Sequence, residues 1–83
     1  MNQLGSQVRL FETSDLLLAA VLQSHGFPVL RTDWREPKRC TFFFESVIEL
    51  DDLVDMFWKQ KLRIEPHQLF DSIKALKARI FSS

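Results

Sequence analysis

The most strongly patterned segment of the chain is Arg39–Glu45, a short aromatic run bounded by charged residues. These properties are typical of a β-strand. Read with a period of two, the segment places its large side chains on both faces: Cys40, Phe42 and Phe44 on one, Thr41 and Phe43 on the other. Because an edge strand with one solvated face does not need bulk on both sides, we expect a central strand with both faces at least partly covered.

Two further strands are predicted before it. Residues 7–12 alternate polar and apolar, which indicates a first strand. Residues 27–33 form a second strand, with Pro28 at its start or on an edge because proline lacks a backbone donor. Residues 34–38 are predicted to be the hairpin loop that leads into the Phe-rich strand, since Pro37 breaks the pattern there.

The first helix is predicted to run from Leu16 to about His25. A hydroxyl N-cap in the Thr13–Ser14 pair, an acid in the first turn and Gly26 beyond the end are its boundary signals. Its expected buried stripe consists of Leu17, Leu18, Val21 and Leu22.

Two more amphipathic helices follow. The second is expected to be capped by Ser46, with the apolar stripe Leu50, Leu53, Val54, Phe57 and Trp58. The third is expected to begin with Pro66 at its first position, with the stripe Leu69, Phe70, Ile73, Leu76 and Ile80.

The element order is therefore β-α-β-β-α-α, and the fold class is α+β. The first helix should connect parallel strands by a right-handed crossover, and the Phe-rich strand should pair antiparallel with the second strand. Its bulk on both sides favours a place between the other two, in the order 1-3-2. We expect a three-stranded mixed sheet packed with three helices, one domain over residues 7–83 and a flexible N-terminal tail over residues 1–6.

Composition narrows the class of protein. Of the 83 residues, 46% are hydrophobic and 27% charged, which is ordinary for a globular domain and argues against a disordered chain. The formal net charge of zero weakens a nucleic-acid role, although the acids concentrate in residues 45–55 and the bases in the last third. We expect no membrane span, no secretory signal and, with a single cysteine, a cytoplasmic location.

No pattern of catalytic residues is found in the sequence. His25 and His67 are too far apart in sequence to form a metal-ligand motif, and the acids of the second helix are explained by its dipole. Cys40 should be buried and unreactive, and two glycines cannot form a phosphate-binding loop. We therefore expect no enzyme, no metal and no cofactor.

The hairpin holds the candidate interaction residues, which combine one aromatic side chain with four cations: Arg31, Trp34, Arg35, Lys38 and Arg39. Such a set can bind nucleic acid by stacking and phosphate contacts. The alternative, which we favour, is that Trp34 folds back on the sheet while the cations keep the loop soluble.

The aromatic content is high for so short a chain. If three helices cannot cover both faces of the sheet, the remaining aromatic side chains form a self-complementary patch. We therefore expect a non-enzymatic interaction module, a homodimer that binds another macromolecule. A nucleic-acid-binding accessory protein that uses residues 31–39 is the alternative.

The order of segments resembles a known family. Thr13–Leu16 leads into a Leu/Ala helix closed by His25–Gly26, and the strand Phe42–Glu45 is followed by helices containing Phe57–Trp58 and Leu69–Phe70. This order, over residues 9–81, is similar to the domain of unknown function 5659, a small family of uncharacterised bacterial proteins. The resemblance implies a bacterial or phage origin and a stand-alone domain, and it implies no site residues. The hairpin departs from the more glycine-rich loop expected of the family.

Overall fold

The six predicted elements follow one another in the computed structural model, which describes residues 9–37 and 39–82. They are β1 (Leu10–Thr13), α1 (Leu16–Ser24), β2 (Arg31–Glu36), β3 (Arg39–Glu45), α2 (Ile48–Trp58) and α3 (Pro66–Ser82). The α+β class and the element order are confirmed. The expected tail, residues 1–6, and the first two residues of the predicted first strand lie outside the described residues.

The Phe-rich strand β3 is the centre of the sheet, whose order is β1-β3-β2. Phe43 lies opposite Glu12 of β1 and opposite Arg31 of β2, and both pairings are antiparallel. The strand order is as predicted, whereas the sheet is antiparallel rather than mixed. The reason is that β1 and β2 run in the same direction but are separated by β3, so no parallel pair forms.

Strand β2 lies later in the chain than predicted. It spans Arg31–Glu36 rather than residues 27–33, so Trp34 and Arg35 belong to the strand and not to a loop. The pairing continues to Glu36 opposite Arg39, with an irregularity between Trp34 and Glu36. A β-bulge places one extra residue on one of two paired strands. The pairing of β2 with β3 can therefore continue up to Glu36, and the predicted five-residue loop is shorter.

The helices pack on one face of the sheet. A single core cluster joins Cys40, Phe42 and Phe44 to residues of all three helices, including Leu50 of α2 and Leu76 of α3. Phe43, which points the other way, is not part of this cluster. The domain therefore has two layers, and the face that carries Thr41 and Phe43 is its helix-free face.

Helix α1 is the middle of the helical layer and contacts both α2 and α3. Its residues 18–22 are all buried, whereas Leu17, expected in the buried stripe, is 45% exposed. Ala19 and Ala20 are buried instead, and their small side chains leave room for neighbouring elements on two sides of the helix. Helix α1 is thus buried over most of its circumference, not along one stripe.

Two of the predicted caps differ in detail. The N-cap of α1 is Asp15, not a hydroxyl residue: its Oδ1 accepts a hydrogen bond from the Leu18 N–H at 3.2 Å. Thr13 supports the turn by accepting from the Asp15 N–H. The N-cap of α2 is Val47, without a side-chain capping bond, so Ser46 does not cap it. Helix α3 begins at Pro66, as predicted.

Gly26 ends α1 with a φ of +94°, a conformation that side-chain-bearing residues rarely adopt. A Cβ placed there meets no atom within 4 Å, so only the backbone conformation disfavours a larger residue. We expect Gly26→Ala to lower the free energy of unfolding by about 1–2 kcal/mol, measured by urea denaturation. Gly26→Asn is the matched control and should lose less, because asparagine tolerates positive φ better. Equal stability of Gly26→Ala and the wild type would contradict this account.

Candidate functional site

The structure separates the candidate hairpin residues onto two faces of the sheet. Arg31 lies opposite Phe43, on the helix-free face, whereas Trp34 lies opposite Cys40, whose side chain belongs to the core under the helices. Arg35 is on the helix-free face, beside Phe43. Lys38 lies outside the described residues. Trp34 therefore does not share a surface with Arg31 and Arg35.

Phe43 is covered by arginines rather than by a helix. It is only 2% exposed. The guanidinium carbon of Arg31 lies 4.1 Å from the centre of the Phe43 ring, and that of Arg35 lies 5.3 Å from it. Both distances fall within the range of cation–π attraction, and the aliphatic stems of arginine side chains add apolar cover. We call this arrangement the arginine cover.

The arginine cover ties the two edge strands together. Nη1 of Arg35, on β2, donates to Oε1 of Glu12, on β1, at 2.8 Å, and its Nε lies 3.7 Å from Oδ2 of Asp33. These side chains are about half exposed, so each ion pair contributes no more than about 1 kcal/mol. Their main effect is positional, because they hold the guanidinium of Arg35 in place beside the Phe43 ring.

A polar depression of about 450 Å³ lies next to the arginine cover. Its lining consists of hydroxyl and charged side chains from all three strands and the residues after β1: Glu12, Thr13, Ser14, Arg35, Glu36, Arg39 and Thr41. Two carboxylates offset two guanidinium groups. This balance leaves the depression without the net positive charge that attracts phosphate groups.

Trp34 lines an apolar cleft of about 260 Å³ on the opposite face. Its neighbours there come from the start of α1 and the residue pair before it, from β3 and from the end of α3: Ser14, Leu16, Arg39, Cys40, Phe42, Ile80 and Phe81. Burial raises the pKa of the Cys40 thiol, so it stays protonated at neutral pH. This cysteine is therefore part of the packing and not an activated nucleophile.

The described part of the chain has neither a metal-ligand cluster nor a membrane-spanning helix. Within residues 9–37 and 39–82, no three or more His, Cys, Asp or Glu side chains come together as a metal site would require. None of the helices described in the structure combines the length and apolar character needed to cross a bilayer.

The large apolar side chains with the highest exposed fractions lie on α2 and α3. Trp58 and Phe70, both expected in buried stripes, are 61% and 63% exposed. Ile48 and Phe81 are 75% and 74% exposed. Trp58 contacts Phe57 edge-on, with ring centres 5.0 Å apart, and otherwise presents its ring to solvent. Ile48 was not among the predicted interaction residues, although its position on the face of α2 opposite Leu50 indicates that it is exposed.

Comparison with known proteins assigns the chain to a family. The model of the domain of unknown function DUF5659 matches residues 8–82, nearly the whole chain, so the chain belongs to this family. No curated protein and no solved structure matches it significantly. The predicted resemblance is confirmed, and it assigns a family without assigning an activity.

The arginine cover predicts that Phe43 is a core residue despite facing away from the helices. We expect Phe43→Ala to lower the free energy of unfolding by about 3–5 kcal/mol, because a buried aromatic ring is removed. Phe43→Leu is the control and should lose about 1.5 kcal/mol or less, because leucine keeps most of the apolar volume. Both values come from urea denaturation. A loss below about 0.5 kcal/mol for Phe43→Ala, the range of ordinary surface substitutions, would contradict burial by the arginines.

Proposed function

We propose that this member of the family is a small non-enzymatic protein-interaction module that acts as a homodimer. The observation that carries the proposal is the outward placement of Trp58, Phe70 and Phe81, each more than half exposed. Aromatic side chains are enriched at protein interfaces, where they supply large contact areas with little loss of conformational freedom. Placing three of them in solvent is unfavourable unless a partner covers them.

The small size of the domain also supports association. A chain of 83 residues buries a smaller fraction of its surface than a larger domain does. Association is a common way for such domains to bury more apolar surface. Part of the same proposal is a bacterial, cytoplasmic protein. The single free thiol of Cys40 supports the cytoplasmic location, and the bacterial origin rests on the family resemblance.

The proposal predicts a self-associating chain. We expect size-exclusion chromatography with light scattering to give twice the 9.8 kDa chain mass at micromolar concentration. The double variant Phe70→Ser/Phe81→Ser should shift the mass to the monomer while keeping the circular dichroism spectrum. Leu30→Ser is the matched control: Leu30 is an exposed apolar residue beside the sheet and its replacement should leave the dimer intact. A wild-type monomer at every concentration tested would refute the homodimer.

Nucleic-acid binding is a second candidate function, favoured by one observation. Arg31 and Arg35 share the helix-free face, and Arg39 lines both the polar depression beside it and the cleft that contains Trp34. The same face carries Glu12, Asp33 and Glu45, whose charges offset those of the arginines. The helix-free face is therefore nearly neutral, and for this reason we rank this function second.

If the hairpin binds nucleic acid, replacing Arg35, Lys38 and Arg39 by glutamine should weaken binding and flatten its salt dependence. For duplex DNA the slope of log K against log salt should fall by about 2.7, the value for three lost phosphate contacts. Fluorescence anisotropy with labelled single-stranded and duplex oligonucleotides measures both quantities. Lys61→Gln/Arg63→Gln, in the connector before α3, is the control. Unchanged binding in the triple variant, or no binding by the wild type, would exclude this function.

A further inference from the structure

We infer that α3 of one protomer packs on α2 of a second copy of the chain, so that the dimer of the proposed function is formed by the helical layer. The inference rests on that function and names its surface. Two exposed helical stripes of opposite charge support the inference, one on α3 and one on α2.

The α3 stripe consists of Phe70, Lys74, Lys77 and Phe81, all exposed. Their spacing of four, three and four residues places them within about 60° of arc on a helix with 3.6 residues per turn. The two lysines lie in the middle and the two aromatic rings at the ends, about 16 Å apart along the axis. The stripe therefore offers apolar contact at both ends and positive charge at its centre.

The α2 stripe consists of Ile48, Asp52 and Asp55, also exposed and on the side of α2 opposite buried Leu50. Asp55 makes an ion pair with Lys59 at 3.0 Å, but both side chains are about 60% exposed. An ion pair this exposed contributes little, so a partner can compete for Asp55. The α2 stripe therefore offers negative charge beside the apolar side chain of Ile48.

The charges select one pairing of helices out of three. An antiparallel contact between two α3 stripes would bring Lys74 and Lys77 against the same lysines of the partner. Two α2 stripes would oppose Asp52 and Asp55 in the same way. Only α3 on the partner's α2 joins opposite charges, and both charged pairs have the same three-residue spacing. Around a two-fold axis this contact forms twice.

The sheet offers a weaker surface for self-association. On its helix-free face the central aromatic residue, Phe43, is already covered by Arg31 and Arg35. Among the large apolar side chains described on that face, Leu10 is 46% exposed, which leaves less apolar surface to bury there. The helical layer, which exposes Phe70 and Phe81, has more apolar surface to bury.

Charge reversal tests the inference. Lys74→Glu/Lys77→Glu makes both stripes acidic, and Asp52→Lys/Asp55→Lys makes both basic. Each variant alone should be a monomer in light scattering, with a dimer dissociation constant raised on the order of a hundredfold or more, because like charges oppose each other at an interface. An equimolar mixture should regain the dimer mass, because both contacts of the mixed dimer join opposite charges. Lys61→Glu/Arg63→Glu is the matched control and should remain a dimer.

The possible outcomes of this experiment test the proposed contact surface and the proposed homodimer separately. A wild-type monomer overturns the homodimer and this inference together. A wild-type dimer with both reversed variants still dimeric overturns only the surface. Monomeric variants that do not combine on mixing also overturn the surface, and circular dichroism of each variant establishes that it is folded. A mixed dimer, identified by native mass spectrometry, supports α3 on the partner's α2.

Discussion

The need to cover both faces of β3 is the constraint on which this structure depends. Phe42, Phe43 and Phe44 are consecutive and each is at most 2% exposed, so the strand is buried on both sides. A two-layer domain of this size has helices for one side only. The other side is closed by the guanidinium groups of Arg31 and Arg35, which lie over the Phe43 ring. The aliphatic parts of the Arg31 and Arg35 side chains thus cover the Phe43 ring, while their charged groups remain accessible to water.

All three helices lie on one face of the sheet. The aromatic side chains that are not part of the core therefore lie on the solvent-facing sides of the helices. Helix α1 takes the middle of the layer and is buried over most of its circumference, whereas α2 and α3 each have one face in solvent. Phe70, Phe81 and Trp58 lie on these exposed faces. The proposed association through the helical layer follows from this division, and the polar, charge-balanced sheet face follows from the arginine cover.

Much of the fold was predictable because its signals are local. The bounds of β3 follow from the charges that flank the aromatic run, and Gly26 and Pro66 mark helix boundaries through their backbone preferences. The two-sided bulk of β3 also predicted its central place correctly. The position of β2 was not predictable in this way. The irregularity between Trp34 and Glu36 depends on pairing with β3, and no local sequence pattern indicates it.

The candidate site was less predictable for a geometric reason. Placing Trp34 and Arg35 in one loop made them neighbours on a common surface, but as consecutive strand residues they point to opposite faces. Helical periodicity likewise shows where an apolar stripe runs but not how wide a strip the neighbouring elements cover. Trp58 and Phe70 lie at the margins of their stripes and are therefore exposed.

Both faces of β3 are covered within one chain, and the proposed association uses the helices. Amide hydrogen exchange of the wild type, compared at a low and a high protein concentration, tests it most directly. We expect protection of α2 and α3 to rise with concentration while that of β1 and β2 stays constant. A concentration-dependent gain of protection along β1 or β2, without one in α2 and α3, would contradict it, because the copies would then associate through the edges of the sheet.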